Sequence, residues 1–183
     1  MIKIIFIIYF ILFFTTNVTA SIKNNITQNL QDINNFSFDF EQNINGKIET
    51  GNCTIQYPKK IFCKYDLGNK KILVSNGKSL VIKTLSSYYI YPLEKTPLDL
   101  ILDKNFIINR IKNLDKKFDD GSLISYRFEE NNYDINIFFN KRNYNIIGWQ
   151  TVDAYQNLSI TYLSSIIKNL KLDKKLFYLP KQN

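Results

Sequence analysis

The chain contains no histidine. Histidine is the commonest general base and a frequent zinc ligand, so its absence excludes most catalytic triads and most zinc sites. The carboxylates are scattered, and Asp119-Asp120 before Gly121 is typical of a solvated turn rather than of a catalytic pair. We therefore expect a protein that is not an enzyme and that needs neither a cofactor nor a metal ion.

Signals for nucleotide and nucleic-acid binding are missing as well. The segment Asn76-Gly77-Lys78-Ser79 resembles the end of a phosphate-binding loop, but the first glycine of such a loop would fall at position 72, which is isoleucine. The segment instead predicts a hairpin turn. The formal net charge is +8, yet no long basic block or basic helix indicates nucleic-acid binding. The charge favours anionic lipid headgroups or acidic proteins, or simply reflects a lysine-, asparagine- and isoleucine-rich composition.

One long apolar run is present, and it stands at the start of the chain. Lys3 precedes the apolar residues 4–14, and Ala20 ends a small-residue pattern that is typical of a cleavage site. We interpret residues 1–20 as a secretory signal that is cleaved after Ala20. The alternative, a membrane anchor, would need about 20 apolar residues. Because Ser21 follows, and not a cysteine that could carry a lipid, we expect an exported, soluble protein of the periplasm.

Residues 21–183 are predicted to form one domain. Helical spacing of apolar residues predicts a helix over 22–34 and a helical interruption over 97–111, whereas short alternating runs predict ten or so strands. We also expect a bulge at Gly51, where the alternation changes phase. The strands are predicted near residues 36–41, 48–57, 61–65, 71–75, 79–83, 88–91, 123–129, 133–140, 146–152, 158–164 and 176–179. This pattern predicts a mainly β fold, as an antiparallel barrel or a strongly curved sheet.

The two cysteines, Cys53 and Cys63, flank a predicted turn at Pro58. If the flanking strands pair about this turn, the cysteines lie nearly opposite each other on one face, within disulfide range. Export to an oxidising compartment favours the bond, and the absence of a C-x-x-C spacing favours a structural role. The alternative is a pair of buried thiols that behave as small apolar residues.

Aromatic side chains recur at alternating strand positions, as in Phe36, Phe38 and Phe40. There are 14 Phe and 12 Tyr but only one Trp, Trp149. Such residues fill ordinary cores. Together with a helix that is apolar on one side, they also suit a curved sheet whose open concave face is covered by a helical lid.

Five short motifs follow one another in a definite order. They are Phe36 to Phe40 with Gln42, Gly51 to Pro58, Ile72 to Leu80, Thr96-Pro97 to Leu102, and Gly148-Trp149 with Asp153. In this order they resemble the LolA family, the periplasmic carriers of outer-membrane lipoproteins. The resemblance covers nearly all of residues 21–183. It implies an incomplete antiparallel barrel closed by helices, with an inner cavity for the acyl chains of a lipoprotein.

The resemblance also implies a set of binding residues and partners. By position, the resemblance makes Ile61 and Leu73 cavity residues and Ile101 a lid residue. Together with the strand alternation and the apolar side of the helix, the predicted cavity residues are Phe36, Phe38, Phe40, Ile55, Tyr57, Ile61 and Leu73, and the predicted lid residues are Leu98, Ile101 and Leu102. The partners would be lipoproteins, the inner-membrane ABC transporter that releases them and, where one exists, an outer-membrane acceptor. Family members usually carry an arginine directly before the proline of the second hairpin, where it bonds the lid closed. Here Tyr57 stands in that place, with one donor where arginine has five, so we expect the lid to close less firmly.

We therefore expect a monomeric periplasmic chaperone that carries lipoproteins from the inner to the outer membrane. Sheltering acyl chains changes no covalent bond, so no cofactor is required. The alternative is a periplasmic sensor or receptor domain that uses the same half-barrel to bind a lipid or a protein. A receptor at the outer membrane would normally be lipid-anchored, which Ser21 argues against.

Overall fold

The computed structural model describes residues 18–66, 68–114, 118–152 and 156–182. Most of the predicted secretory signal, residues 1–17, lies outside these ranges, as do Leu67 and Asp153. Cleavage after Ala20 therefore stays a prediction. Within the described ranges, we find no helix that is both long enough and apolar enough to cross a membrane.

Eleven strands of the described chain form one antiparallel sheet that does not close on itself. The strands are β1 (Asn35–Ile44), β2 (Lys47–Gln56), β3 (Lys60–Tyr65), β4 (Ile72–Asn76), β5 (Ser79–Lys83), β6 (Tyr88–Pro92), β7 (Phe118–Asp119), β8 (Leu123–Glu130), β9 (Tyr133–Asn140), β10 (Ile146–Val152) and β11 (Leu158–Lys168). Their order in the sheet is β6-β5-β4-β3-β2-β1-β11-β10-β9-β8-β7. The predicted fold class, a mainly β open half-barrel, is confirmed.

Three α-helices accompany the described part of the sheet. They are α1 (Val18–Gln31), α2 (Leu98–Ile101) and α3 (Lys104–Asn113), and a 3₁₀ turn at Leu93–Lys95 precedes α2. The Asp103 carboxylate begins α3 by accepting hydrogen bonds from the backbone N–H groups of Asn105 and Phe106, each over 3.1 Å. This side-chain cap satisfies two of the amide groups that the first turn of a helix leaves without partners.

One core lies between the helices and one face of the sheet, which we call the inner face. Strand alternation creates this face: Phe36, Phe38 and Phe40 of β1 are buried at every second position. Ile26 of α1 and Ile107 of α3, both fully buried, belong to the same core. The inner face of the sheet is therefore apolar, and the helices cover it.

The predicted bulge at Gly51 is wrong. The register runs without a break through Gly51, which lies opposite Phe40 on one side and Tyr65 on the other. A Cβ atom at this position would lie 2.2 Å from the Lys64 carbonyl oxygen and 2.9 Å from the Phe40 ring. Glycine is needed at position 51 because two neighbouring strands approach its backbone too closely for any side chain.

The predicted last strand, Leu176 to Leu179, is also wrong. This segment is a turn within a C-terminal tail that buries Phe177. The Tyr88 hydroxyl donates to the Pro180 carbonyl oxygen over 3.2 Å, and Lys83 Nζ donates to the Lys181 carbonyl oxygen over 2.8 Å. The tail is therefore held to β5 and β6 by side chains and does not extend the sheet as a strand.

A second group of buried residues lies on the outer face of the sheet. Val74 and Val81 are opposite each other in the register of β4 and β5, and both are almost fully buried although they do not belong to the core on the inner face. We attribute their burial to the C-terminal tail, which carries the buried Phe177 and is tied to the neighbouring strands.

Candidate functional site

The register of four neighbouring strands brings most of the predicted cavity residues together on the inner face. Phe36 lies opposite Ile55, which lies opposite Ile61. Six of the seven predicted cavity residues are buried, with exposed fractions between 1% and 8%. These six are Phe36, Phe38, Phe40, Ile55, Ile61 and Leu73. The seventh, Tyr57, is half-buried and packs against the same core.

The predicted disulfide lies in the middle of this group. Cys53 and Cys63 are opposite each other in β2 and β3, with their Cα atoms 4.1 Å apart and their sulfur atoms bonded. Phe38 lies opposite Cys53, and Leu73 lies opposite Cys63. The predicted bond is thus present in the structure, and it fixes the separation of two strands in the wall of the predicted cavity.

The predicted lid lies over the same core. Ile101 and Leu102 are almost completely buried, and Leu98 packs against the core from a partly exposed position. We use the word lid for the segment Leu98 to Leu102, which comprises α2 and the residue after it. Its apolar side chains recur at three- to four-residue spacing, so one side of a short helix meets the sheet.

In this structure the predicted cavity residues contact one another. The rings of Phe36 and Phe38 stack with their centroids 5.3 Å apart, and the Trp149 ring meets that of Phe38 edge-on at 6.2 Å. The inner face is filled by its own side chains and by the helices. Accommodating acyl chains would require α2 and α3 to move away from the sheet, and the cavity role of these residues stays a prediction.

Open hollows occur elsewhere on the described surface. One of about 880 Å³ lies at the β8–β9 hairpin, where Arg127, Glu130 and Asp134 line it. Another of about 500 Å³ lies between Lys60 and the C-terminal tail. No predicted cavity or lid residue lines either hollow. The charged lining of the hollow at the β8–β9 hairpin does not suit an acyl chain, because burying charges against hydrocarbon is costly.

Residues 31–180 match a family model described as "Outer membrane lipoprotein carrier protein LolA". The chain belongs to the LolA family. Family membership makes it a lipoprotein- or lipid-binding domain of periplasmic type. No curated protein matches the chain.

Several solved structures are similar to this chain at low sequence identity. An uncharacterized conserved protein from Thermus thermophilus is 7% identical, with a TM-score of 0.50 and with 88% of this chain and 94% of that chain covered. A LolA superfamily protein from Nitrosomonas europaea is 8% identical, with a TM-score of 0.43 and coverages of 88% and 97%. LprF from Mycobacterium bovis is 12% identical, with a TM-score of 0.45 and coverages of 87% and 97%.

Tyr57 occupies the position where LolA-family members usually carry the lid-bonding arginine. Its ring packs beside that of Phe36, with the centroids 6.0 Å apart, and Lys104 Nζ lies 5.9 Å from its centroid. Burial raises the pKa of Tyr57, and the nearby Asp103 carboxylate raises it further. The hydroxyl therefore stays neutral and cannot supply the positive charge that arginine would bring.

Lys59, two residues later, ties the lid to the sheet instead. Its backbone N–H donates to the Leu102 carbonyl oxygen over 2.7 Å, and its Nζ donates to Asp99 Oδ1 over 2.8 Å. The Lys59 backbone has a φ of 65°, and the Ser75 hydroxyl donates to its carbonyl oxygen over 3.0 Å. The β2–β3 turn is thereby fixed in the shape that presents Lys59 to α2, a detail that sequence patterns do not reveal.

A polar group that sequence reasoning missed lies on the inner face. Glu49 is buried, with 3% of its side chain exposed, and it pairs with Lys71 and with Lys47, the latter over 2.9 Å. Burial acts to raise the pKa of Glu49, but the hydrogen bonds and charges of Lys71 and Lys47 outweigh it, so the pKa lies below its ordinary value. The strand alternation could have predicted this inward position, since Glu49 lies four residues before Cys53 and so faces the same side of β2.

Gln42 extends this polar group across the sheet. Its Nε2 donates to Thr161 Oγ1 over 3.2 Å, and its Oε1 accepts from the Tyr65 hydroxyl over 3.4 Å. Gln42 lies opposite Glu49 in the register, so the polar group spans β11, β1 and β2. The apolar stretch of the inner face at Phe36 to Phe40 therefore ends in a hydrogen-bonded polar border. Within the described ranges, no group of three or more acidic or cysteine side chains could hold a metal ion.

Proposed function

We propose that this LolA-family protein is a periplasmic chaperone that carries lipoproteins from the inner to the outer membrane. It holds their acyl chains against the inner face of the half-barrel and makes or breaks no covalent bond. The observation that carries the proposal is the continuous apolar inner face of β1 to β4, covered by a short lid and bounded by the polar group around Glu49.

The energetics support a shelter of this kind. Each CH₂ group of an acyl chain that leaves a membrane for water costs about 0.8 kcal/mol, so a lipidated protein cannot cross the periplasm unaided. An apolar face recovers that free energy without chemical change. Contacts with phenylalanine, isoleucine and leucine side chains are non-directional, so acyl chains of different length and position can bind to the inner face.

The lid is suited to opening. Helix α2 has four residues, and the tie to Lys59 consists of one backbone hydrogen bond and one half-buried ion pair. Breaking an ion pair of this exposure costs about 0.5–1 kcal/mol. Displacing the lid also exposes Ile101 and Leu102, at about 1.5–3 kcal/mol each, a cost that acyl chains taking their place against the inner face would offset. The sheet and its disulfide stay intact.

Transfer needs a donor and an acceptor. We propose that the donor is an ABC transporter of the inner membrane that releases lipoproteins, and that the acceptor lies at the outer membrane. Handover in both directions requires loose binding, which a non-directional apolar face provides. We further propose that the protein acts as a monomer and that it has no enzymatic activity.

The test is recovery of a lipoprotein from inner membranes. A lipoprotein and a variant whose lipid-carrying cysteine is replaced by serine are presented to the purified protein, and the complexes are collected and analysed by mass spectrometry. We expect recovery of the acylated form only. Equal recovery of both forms would contradict the proposal and would favour a sensor domain that binds protein surfaces.

A matched pair of variants locates the binding face. Ile61→Asp places a charge on the inner face, whereas Ile48→Asp places it on an outward-facing side chain that is 59% exposed. We expect Ile61→Asp to abolish recovery and Ile48→Asp to leave it unchanged, with thermal melting to confirm that each variant folds. If Ile61→Asp does not fold, Leu73→Asn provides a milder change on the same face.

A further inference from the structure

Tyr126 of β8 carries a hydroxyl group without a partner in the middle of the protein. The side chain is fully buried and lies on the core-facing side of its strand, in step with Ile124 and Phe128. Its hydroxyl oxygen has no hydrogen-bond partner among the residues that the structure describes. A buried hydroxyl in this condition costs free energy, and a phenylalanine would fill the same volume without that cost.

Two other tyrosines, Tyr65 and Tyr88, do have a hydrogen-bond partner for the hydroxyl. The Tyr65 hydroxyl donates to Gln42 Oε1 over 3.4 Å, and the Tyr88 hydroxyl donates to the Pro180 carbonyl oxygen over 3.2 Å. Burial raises the pKa of Tyr126, so its hydroxyl stays protonated and remains a hydrogen-bond donor. A protonated donor that faces the core is available to an acceptor brought in by a ligand.

The surroundings of Tyr126 connect it to the predicted binding face. Tyr126 lies opposite Ile137 in the register, and Ile137 lies opposite Trp149, whose ring contacts Phe38. The Phe139 ring meets that of Tyr126 edge-on, with the centroids 6.2 Å apart. These neighbours are apolar or aromatic and offer the hydroxyl no oxygen acceptor.

We propose that the Tyr126 hydroxyl donates a hydrogen bond to the carbonyl oxygen of an acyl ester when a lipid occupies the inner face. This inference rests on the proposed function and adds a specificity-determining residue to it. The alkyl part of the ligand replaces apolar contacts, and the ester carbonyl supplies the acceptor that the free protein lacks around Tyr126. The protein thereby distinguishes an acylated ligand from a hydrocarbon of the same length.

Stability measurements on the free protein form the first arm of the test. Tyr126→Phe removes a hydroxyl without a partner and should raise the melting temperature. Tyr88→Phe removes a hydroxyl that is already bonded, far from the inner face, and should lower the melting temperature slightly. A lower melting temperature for Tyr126→Phe would show that the hydroxyl is already satisfied in the free protein and would overturn the inference.

Binding measurements form the second arm. A synthetic diacyl lipopeptide is compared with its dialkyl ether analogue, which has the same chains but lacks the ester carbonyls. We expect wild-type protein and Tyr88→Phe to prefer the ester form about three- to tenfold, as one net hydrogen bond provides. Tyr126→Phe should bind both forms equally, with an unchanged affinity for the ether.

The same comparison with a diacyl and a dialkyl phospholipid identifies the source of the ester. Preference for the ester in both pairs means that Tyr126 recognises any acyl ester, and preference in the lipopeptide pair alone assigns it to lipoproteins. Equal binding of ester and ether by wild-type protein would overturn this inference and leave the proposed function standing. Failure of wild-type protein to bind either lipopeptide would instead contradict the proposed function itself.

Discussion

Lys59 Nζ donates to Asp99 Oδ1 over 2.8 Å, and this ion pair joins the β2–β3 turn to the lid helix α2. The backbone N–H of Lys59 also donates to the Leu102 carbonyl oxygen. A single residue thus holds both ends of the lid. In LolA-family members the residue that bonds the lid is usually an arginine before the proline of the same hairpin, where this chain has Tyr57.

Lys59→Met should loosen the lid without unfolding the protein. The variant keeps the backbone hydrogen bond to Leu102 but loses the half-buried ion pair, which is worth about 0.5–1 kcal/mol. Hydrogen exchange of the α2 amide groups should therefore accelerate by about two- to fivefold. Asp99→Asn should act in the same way.

The matched control for the lid is Lys141→Met. Lys141 pairs with Asp119 of the edge strand β7 over the same distance, 2.8 Å, away from the lid. Exchange in α2 should not change in this variant. Equal acceleration in Lys59→Met and Lys141→Met would mean that the Lys59 ion pair does not hold the lid.

Removing the disulfide should destabilise the protein by about 2–3 kcal/mol, since the bond closes a short loop in the unfolded chain. The two cysteines are ten residues apart in the sequence. The measurement is urea unfolding of the Cys53→Ala/Cys63→Ala variant against the oxidised protein. Reductant should weaken the wild-type protein and leave the variant unaffected, and titration of the denatured, unreduced protein should find no free thiol. Two reactive thiols would rule out the bond.

Ile61→Ala should separate a binding role from a packing role. The free variant should lose about 2–5 kcal/mol of stability, because Ile61 is 2% exposed and its removal leaves a cavity. If acyl chains contact position 61, added lipopeptide should fill that cavity and raise the melting temperature of the variant by more than that of wild-type protein.

The control for Ile61 is Val81→Ala, which creates a smaller cavity on the outer face, where Val81 is fully buried. Its melting temperature should rise with lipopeptide by the wild-type increment. Identical increments in all three proteins would show that Ile61 is core and does not contact the ligand.

The Glu49 carboxylate should make stability depend on pH in the acid range. Its pKa in the folded protein is below its ordinary value of 4.5, so its pairing with Lys71 and Lys47 contributes stability above that value. The contribution is lost as the pH falls through the lower folded-state pKa. Glu49→Gln should cost about 1–3 kcal/mol near neutral pH, because the lysines lose their partner.

Urea unfolding at neutral and acid pH measures this effect. The free-energy difference between wild-type protein and Glu49→Gln should shrink as the pH falls below 4.5. Glu41→Gln, a change at an exposed position of β1, should leave the wild-type pH profile intact. A constant difference between wild-type protein and Glu49→Gln at every pH would contradict the assignment.

Local patterns in the sequence predicted much of the sheet. Asn45-Gly46 forms the predicted hairpin turn, with φ values of 49° and 90°, and β1 and β2 pair on either side of it. The pairing of Cys53 with Cys63 followed from the same reasoning, because equal distances from a turn place residues opposite each other. Such features depend on residues close together in the chain, so alternation and turn residues were enough to predict them.

Contacts between distant parts of the chain required the tertiary structure. Three features depend on how separate segments of the chain pack against each other. They are the burial of Glu49 beside Lys71, the ion pair from Lys59 to the lid and the burial of Phe177 of the C-terminal tail. Gly51 shows the same limit: its role is set by the approach of Phe40 and Lys64 from neighbouring strands, and not by a local bulge.

The sequence by itself determined which side chains face inward, because a strand turns every second side chain to the same side. It also determined the family, through the order of its motifs. Only the tertiary structure decided that the predicted cavity residues are packed together beneath α2 and α3, and that Tyr126 is buried in the same core with no hydrogen-bond partner for its hydroxyl among the described residues. The physical reason is that packing and hydrogen-bond satisfaction depend on the three-dimensional surroundings of each side chain, which alternation along one strand does not specify.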